Sequence, residues 1–135
     1  MSYPITDIEG IGPAYAERLK SLRIRTTSRL LEEAKSPRGR KTLAEKTGVE
    51  PSRILKWANM ADMMRIKGVG EEYSELLEAA GVDTVRELKY RNPKKLAEAM
   101  ATANTKRKLV RLLPSEKAIT KWIAAAKSLP MKITY

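Results

Sequence analysis

Histidine, cysteine and phenylalanine are absent from this 135-residue chain, and its aromatic side chains come down to two Trp and five Tyr. Without cysteine there are no disulfides and no thiolate metal sites. Without histidine the commonest general base and zinc ligand are missing as well. So few aromatics argue against a stacking platform for single-stranded nucleic acid. No apolar run approaches the roughly 20 residues that span a bilayer, and the amino terminus lacks the charged and apolar regions of a signal peptide. These absences lead to the expectation of a soluble, cytoplasmic protein that is not an enzyme, carries no cofactor or metal and has no membrane partner.

What is abundant is positive charge. Twenty-seven Lys and Arg stand against sixteen Asp and Glu, giving +11 and a pI near 10.0. A surplus of that size favours a polyanionic partner. It is concentrated in two stretches. From Arg18 to Lys46 there are ten bases and three acids, and from Arg86 to Arg111 nine bases and two acids. The bland reading of both is a solvated face that keeps the protein soluble.

The chain also repeats itself. Ile8-Glu9-Gly10-Ile11-Gly12 returns 58 positions later as Ile66-Lys67-Gly68-Val69-Gly70, and Tyr15, Leu19, Ile24, Thr26 and Leu30 have counterparts in Tyr73, Leu77, Val82, Thr84 and Leu88. Apolar residues recur at helical spacing throughout and never in the alternation of a strand, so the fold class is all-α. Helices are expected from Pro13 to about Leu22, from Thr26 or Thr27, from Ser36-Pro37 to near Gly48, and from Pro51-Ser52 to about Met64. The second half should follow with helices from Glu71 to Ala80, from Thr84 with Glu87 completing a capping box, from Asn92-Pro93, and from Ser115 to Ser128. Trp57 and Trp122 sit among apolar residues at core spacing and belong inside, together with Tyr15 and Tyr73. Leu43 matches Leu96 at a shift of 53 and Trp57 matches Trp122 at 65, so the second half gains about a dozen residues, including Asn104-Thr105-Lys106-Arg107-Lys108. That gain should emerge as a basic surface loop or helix extension.

A glycine, an apolar residue and a second glycine ahead of a helix form a tight turn that presents backbone N–H groups at a positive helix end, which suits phosphate. On the residues Asp7 to Leu19 and Ile66 to Leu77, followed by Gly81-Val82-Asp83-Thr84-Val85, the chain resembles the helix-hairpin-helix superfamily. The tandem arrangement resembles an uncharacterised prokaryotic family of duplicated helix-hairpin-helix domains. The resemblance implies two tandem helix-hairpin-helix (SAM-like) repeats, residues 1–64 and 65–135, packed into one helical unit, with the helix over 52–64 leading into the second hairpin. It also implies that the hairpins bind the DNA backbone without reading sequence, and some members of the superfamily hold a monovalent cation through hairpin carbonyls.

The expected function is therefore sequence-independent nucleic-acid binding, with double-stranded DNA preferred. Gly10, Ile11, Gly12 and Ala14 would meet one phosphate, and Lys67, Gly68, Val69 and Gly70 another. A helix end contributes only about 0.3 to 1 kcal/mol toward an anion, so side-chain cations must supply the rest. The expected cations are Arg18, Arg38, Arg40 and Lys41 in the first half, and Lys94, Lys95, Lys106, Arg107, Lys108 and Arg111 in the second. Glu71 and Glu72 occupy the second helix start and compete with phosphate there, so the first hairpin is expected to be the better cradle. The rival is a protein-interaction or scaffold module in which the glycine turns serve packing alone.

Overall fold

Short-range signals explain most of the helix boundaries in the computed structural model, which describes residues 2–135. A 3-10 turn at Ile5–Asp7 precedes eight α-helices: α1 Pro13–Ser21, α2 Thr27–Ala34, α3 Pro37–Thr47, α4 Pro51–Met63, α5 Glu71–Ala79, α6 Val85–Leu88, α7 Pro93–Arg107 and α8 Glu116–Ser128. No strand forms among the described residues, and the all-α expectation holds. Thr26, Ser36, Asn92 and Ser115 each accept a backbone N–H from the first turn of the helix they precede. Proline opens α1, α3, α4 and α7, where its missing N–H costs nothing.

Two hydrophobic clusters divide the molecule. Residues from Ile5 to Met64 build the first around Leu19, Leu30, Leu43 and Trp57, and Met63 to Ala126 build the second around Leu77, Leu88, Leu96 and Trp122. Both tryptophans are buried, as the spacing predicts. α4 and its C-cap serve both clusters, giving Met60, Ala61 and the C-cap Met64 to the first and Met63 to the second. It packs on α2 and α3 on one side and on α5 on the other.

One feature of the second half follows the sequence reading, in the lengthened α7, and two others depart from it or are set by distant partners. The Thr84 hydroxyl does not cap α6. Instead the buried Asp62 reaches across from α4, and its Oδ2 accepts the Val85 N–H at 2.9 Å while its Oδ1 accepts from Arg65 Nε at 2.9 Å. Glu87 reaches back past the N-cap to the Asp83 N–H and also accepts from the Thr84 hydroxyl, both at a long 3.4 Å, so neither bond of the expected capping box is made. The extra residues of the second half lengthen α7 to 15 residues, against 11 in α3, and add an irregular segment before α8. Finally, the chain after Pro130 returns to the first half. The Thr134 N–H donates to the Lys35 carbonyl at 2.8 Å, Lys132 lies 3.3 Å from Glu32, and Ile133 packs on the first core.

Candidate nucleic-acid interface

Each glycine turn has one position that only glycine fits comfortably. Gly10 and Gly68 both have φ of 92°, and a Cβ added there would lie 3.4 Å from the Trp57 indole nitrogen or 3.2 Å from that of Trp122. The turn is thus pressed onto the tryptophan of its own half, and Tyr15 and Tyr73 flank the same rings at centroid distances of 5.4 and 5.3 Å. Gly12 and Gly70 have extended backbone and occupy the N-cap positions of α1 and α5. Neither brings a capping side chain. The first-turn N–H groups of Ala14 and Tyr15, and of Glu71, Glu72 and Tyr73, therefore have no acceptor within the helix.

Not every N–H expected at the phosphate is available. Ile11 and Val69 are buried, and their N–H groups donate to the carbonyls of Ile8 at 3.1 Å and Ile66 at 3.0 Å. The bonds that close each turn consume these donors, so the two apolar residues of the motif belong to the scaffold. Gly10, Gly12 and Ala14 are exposed, as are Lys67 and Gly68, while Gly70 is half-buried.

Electrostatics separate the two turns less cleanly than the sequence suggests. Beside the first, Arg18 and Arg53 place their guanidinium carbons 5.6 and 5.5 Å from the Tyr15 ring, and Arg53 also donates to the Tyr15 hydroxyl at 3.2 Å. A groove of about 480 Å³ lies against the turn, lined by Glu9, Gly10, Glu50, Ser52, Arg53, Lys56 and Trp57. Yet the acids of the first turn also face those of α5. Burial first, then Glu9, Asp7, Glu75 and Glu72, push the Glu71 carboxyl above its ordinary range. Burial and Glu9 do the same to Glu75, with Arg107 opposing. Asp7, Glu9, Glu71, Glu72 and Glu75 thus form one acidic zone between the turn and α5, and it disfavours an anion near either. Lys56 and Arg107 edge it, at 3.6 Å from Glu78 and Glu75 respectively.

The cations fall into two groups. Arg38 and Lys41 are exposed on α3, which packs against α1, α2 and α4. Lys94 and Lys95 are exposed at the start of α7, and Lys106, Arg107, Lys108 and Arg111 at and beyond its end, on a helix that packs against α5 and α8. Arg40, expected among the first group, is 6% exposed and points inward. It donates from Nη1 to the Ala34 carbonyl at 2.9 Å and from Nη2 to the Thr134 carbonyl at 2.7 Å, and burial lowers its pKa. Its place on the helix faces the returning tail, so it is a staple and not a surface cation. Among the described residues, side-chain ion pairs engage Arg29, Lys35, Lys56, Arg65, Arg107 and Lys132. The other candidate cations carry no acidic partner.

Arg53 and Lys56 were not singled out in the sequence. Arg53 lies four residues before Trp57, on the face of α4 that meets the first turn, and that i, i+4 relation is the signal that finds it. It has no basic counterpart in the second half, where Ala118 stands at the shift set by the tryptophans. No cluster of acidic side chains among the described residues is arranged to hold a metal ion, and no helix among them is long and apolar enough to cross a membrane.

Residues 9–129 match the protein family described as Domain of unknown function (DUF4332). No curated protein and no solved structure matches the chain.

Proposed function

The chain belongs to that family, whose description assigns no activity, and we propose that it binds nucleic acid, double-stranded DNA first, through the phosphate backbone and without reading sequence. The observation that carries this reading is the set of exposed cations on α3 and α7 that no acid neutralises. Arg38 and Lys41, then Lys94, Lys95, Lys106, Lys108 and Arg111, supply most of the attraction, because each phosphate they neutralise releases condensed counterions. The uncapped starts of α1 and α5 add a smaller, directional term through Ala14, Tyr15 and the glycines, as in the helix-hairpin-helix proteins that the motif resembles. Arg18 and Arg53 support the first turn. The role is one of binding in the cytoplasm, without catalysis, and any monovalent cation would sit at the hairpin carbonyls.

One observation favours a second reading. The acidic zone of Asp7, Glu9, Glu71, Glu72 and Glu75 repels phosphate where the hairpins should grip it, and it suits a scaffold whose turns serve packing alone. Gel retardation with the double variants Arg38→Glu/Lys41→Glu and Lys106→Glu/Lys108→Glu separates the two. Backbone binding requires each to cut duplex retention at least about tenfold with unchanged helicity. Retention left intact by both would favour the scaffold.

A further inference from the structure

The segment between α7 and α8 carries two leucines in solvent. Leu112 is 76% exposed and Leu113 40%, although a chain of this size has ample core to bury them. They are not the tip of a loose loop. The Asn104 side chain clamps Val110 in both directions, its Nδ2 donating to the Val110 carbonyl and its Oδ1 accepting the Val110 N–H, each at 3.0 Å. Val110 is buried in the second core, and the Leu112 carbonyl accepts from the Tyr73 hydroxyl at 3.0 Å. On the far side, Ser115 caps α8. The backbone is therefore held from both ends while the two side chains project outward.

Their surroundings select the occupant. No acid occurs from Ala99 to Ser115, and Lys106, Arg107, Lys108 and Arg111 lead up to the pair along the chain. All four are exposed, and only Arg107 has an acidic neighbour, Glu75 at 3.6 Å. The Tyr73 hydrogen bond ties this tip to the first turn of α5, the helix that the second glycine turn opens. An apolar pair that follows a run of exposed cations fits a surface that offers anionic groups next to an apolar opening. In duplex DNA that is a base step between flanking phosphates, most accessible where the stack is interrupted. The first half has no equivalent, because its shorter α3 runs through Gly48-Val49-Glu50 straight into α4.

We propose that Leu112 and Leu113 form a wedge that enters the base stack at a discontinuity in duplex DNA, so that the protein prefers nicked or gapped duplex to intact duplex. This rests on the nucleic-acid reading above. Phosphate contacts hold the tip over the backbone, and burial of the leucines against exposed base faces supplies the discrimination.

The test compares fluorescence anisotropy on intact duplex, nicked duplex and duplex with a one-nucleotide gap, for the native protein and for Leu112→Ser/Leu113→Ser. A 2-aminopurine beside the gap reports unstacking. The native protein should bind the gapped duplex about tenfold more tightly than the intact one and raise the 2-aminopurine signal. The double variant should lose both effects while keeping its intact-duplex affinity within about twofold. Equal binding to all three DNAs by the native protein, or a preference that survives the double substitution, overturns the wedge but leaves backbone binding standing. Absence of binding to any DNA overturns both. Sedimentation with phosphatidylserine vesicles is the remaining arm, and vesicle binding that depends on the leucines, without a preference among the DNAs, assigns the tip to a membrane surface and overturns the wedge.

Discussion

Arg23 and Gly81 occupy matching positions just after α1 and α5, and both adopt left-handed backbone, with φ of 64° and 93°. In each case the next residue closes the helix end, through Ile24 N–H to the Leu19 carbonyl and Val82 N–H to the Leu77 carbonyl. Glycine takes this conformation freely, whereas a side chain costs about 1 kcal/mol. Arg23→Gly is therefore expected to raise stability by up to about 1 kcal/mol, read as a shifted urea midpoint. The reverse holds where the tryptophans press on the turns. Gly10→Ala and Gly68→Ala should each destabilise by about 1 to 3 kcal/mol, Gly68 the more because its indole nitrogen is nearer. Equal midpoints for native protein and glycine variants would remove the conformational argument. Asp62 is the other residue on which much depends. Asp62→Ala would leave the half-buried Arg65 unpaired beside an uncapped α6, at a cost of about 3 kcal/mol.

At the scale of elements, much was readable from local chemistry. Thr26, Ser36, Asn92 and Ser115 cap as their types and positions suggest, since a cap needs only its own first turn. What escaped was set by distant partners. Thr84-Val85-Arg86-Glu87 spells a capping box, but a carboxylate 23 residues upstream in the sequence takes the Val85 N–H. Arg40 reads as one more base in a basic helix until Thr134, 94 residues away, supplies its acceptor. Arg40→Ala should accordingly destabilise the fold by about 2 to 3 kcal/mol, whereas Arg38→Ala, exposed about half a turn earlier, should fall within about 0.5 kcal/mol by the same denaturation. The start of α5 carries a pH signature. Glu71 and Glu75 have raised pKa values in the folded state, so the native protein binds more protons than the unfolded chain and these groups add stability as the pH falls from neutrality. Glu32 has the opposite sign, because Lys35 and Lys132 lower its pKa and its contribution is lost in acid. Glu71→Gln/Glu75→Gln should thus raise the thermal midpoint at neutral pH and flatten its rise toward about pH 5. A variant no more stable than the native protein at neutrality would show that the acidic zone is not strained.

For the molecule as a whole, the duplicated glycine motif led directly to two matching turns, each on its own tryptophan, because that pairing depends on residues conserved in spacing within the chain. The charge surplus led to exposed cations on α3 and α7, but sequence alone cannot show that Arg40 turns inward or that the first turn's Asp7 and Glu9 meet α5. The functional weight consequently rests on side-chain charge more than on backbone donors, two of which, the N–H groups of Ile11 and Val69, are spent closing the turns. The salt dependence of duplex binding tests that balance most directly. If about six phosphates are neutralised, log K should fall linearly with log salt at a slope of about −5, and two unrelated duplex sequences should give the same line. No binding at about 50 mM salt, or a slope near zero, would contradict the account.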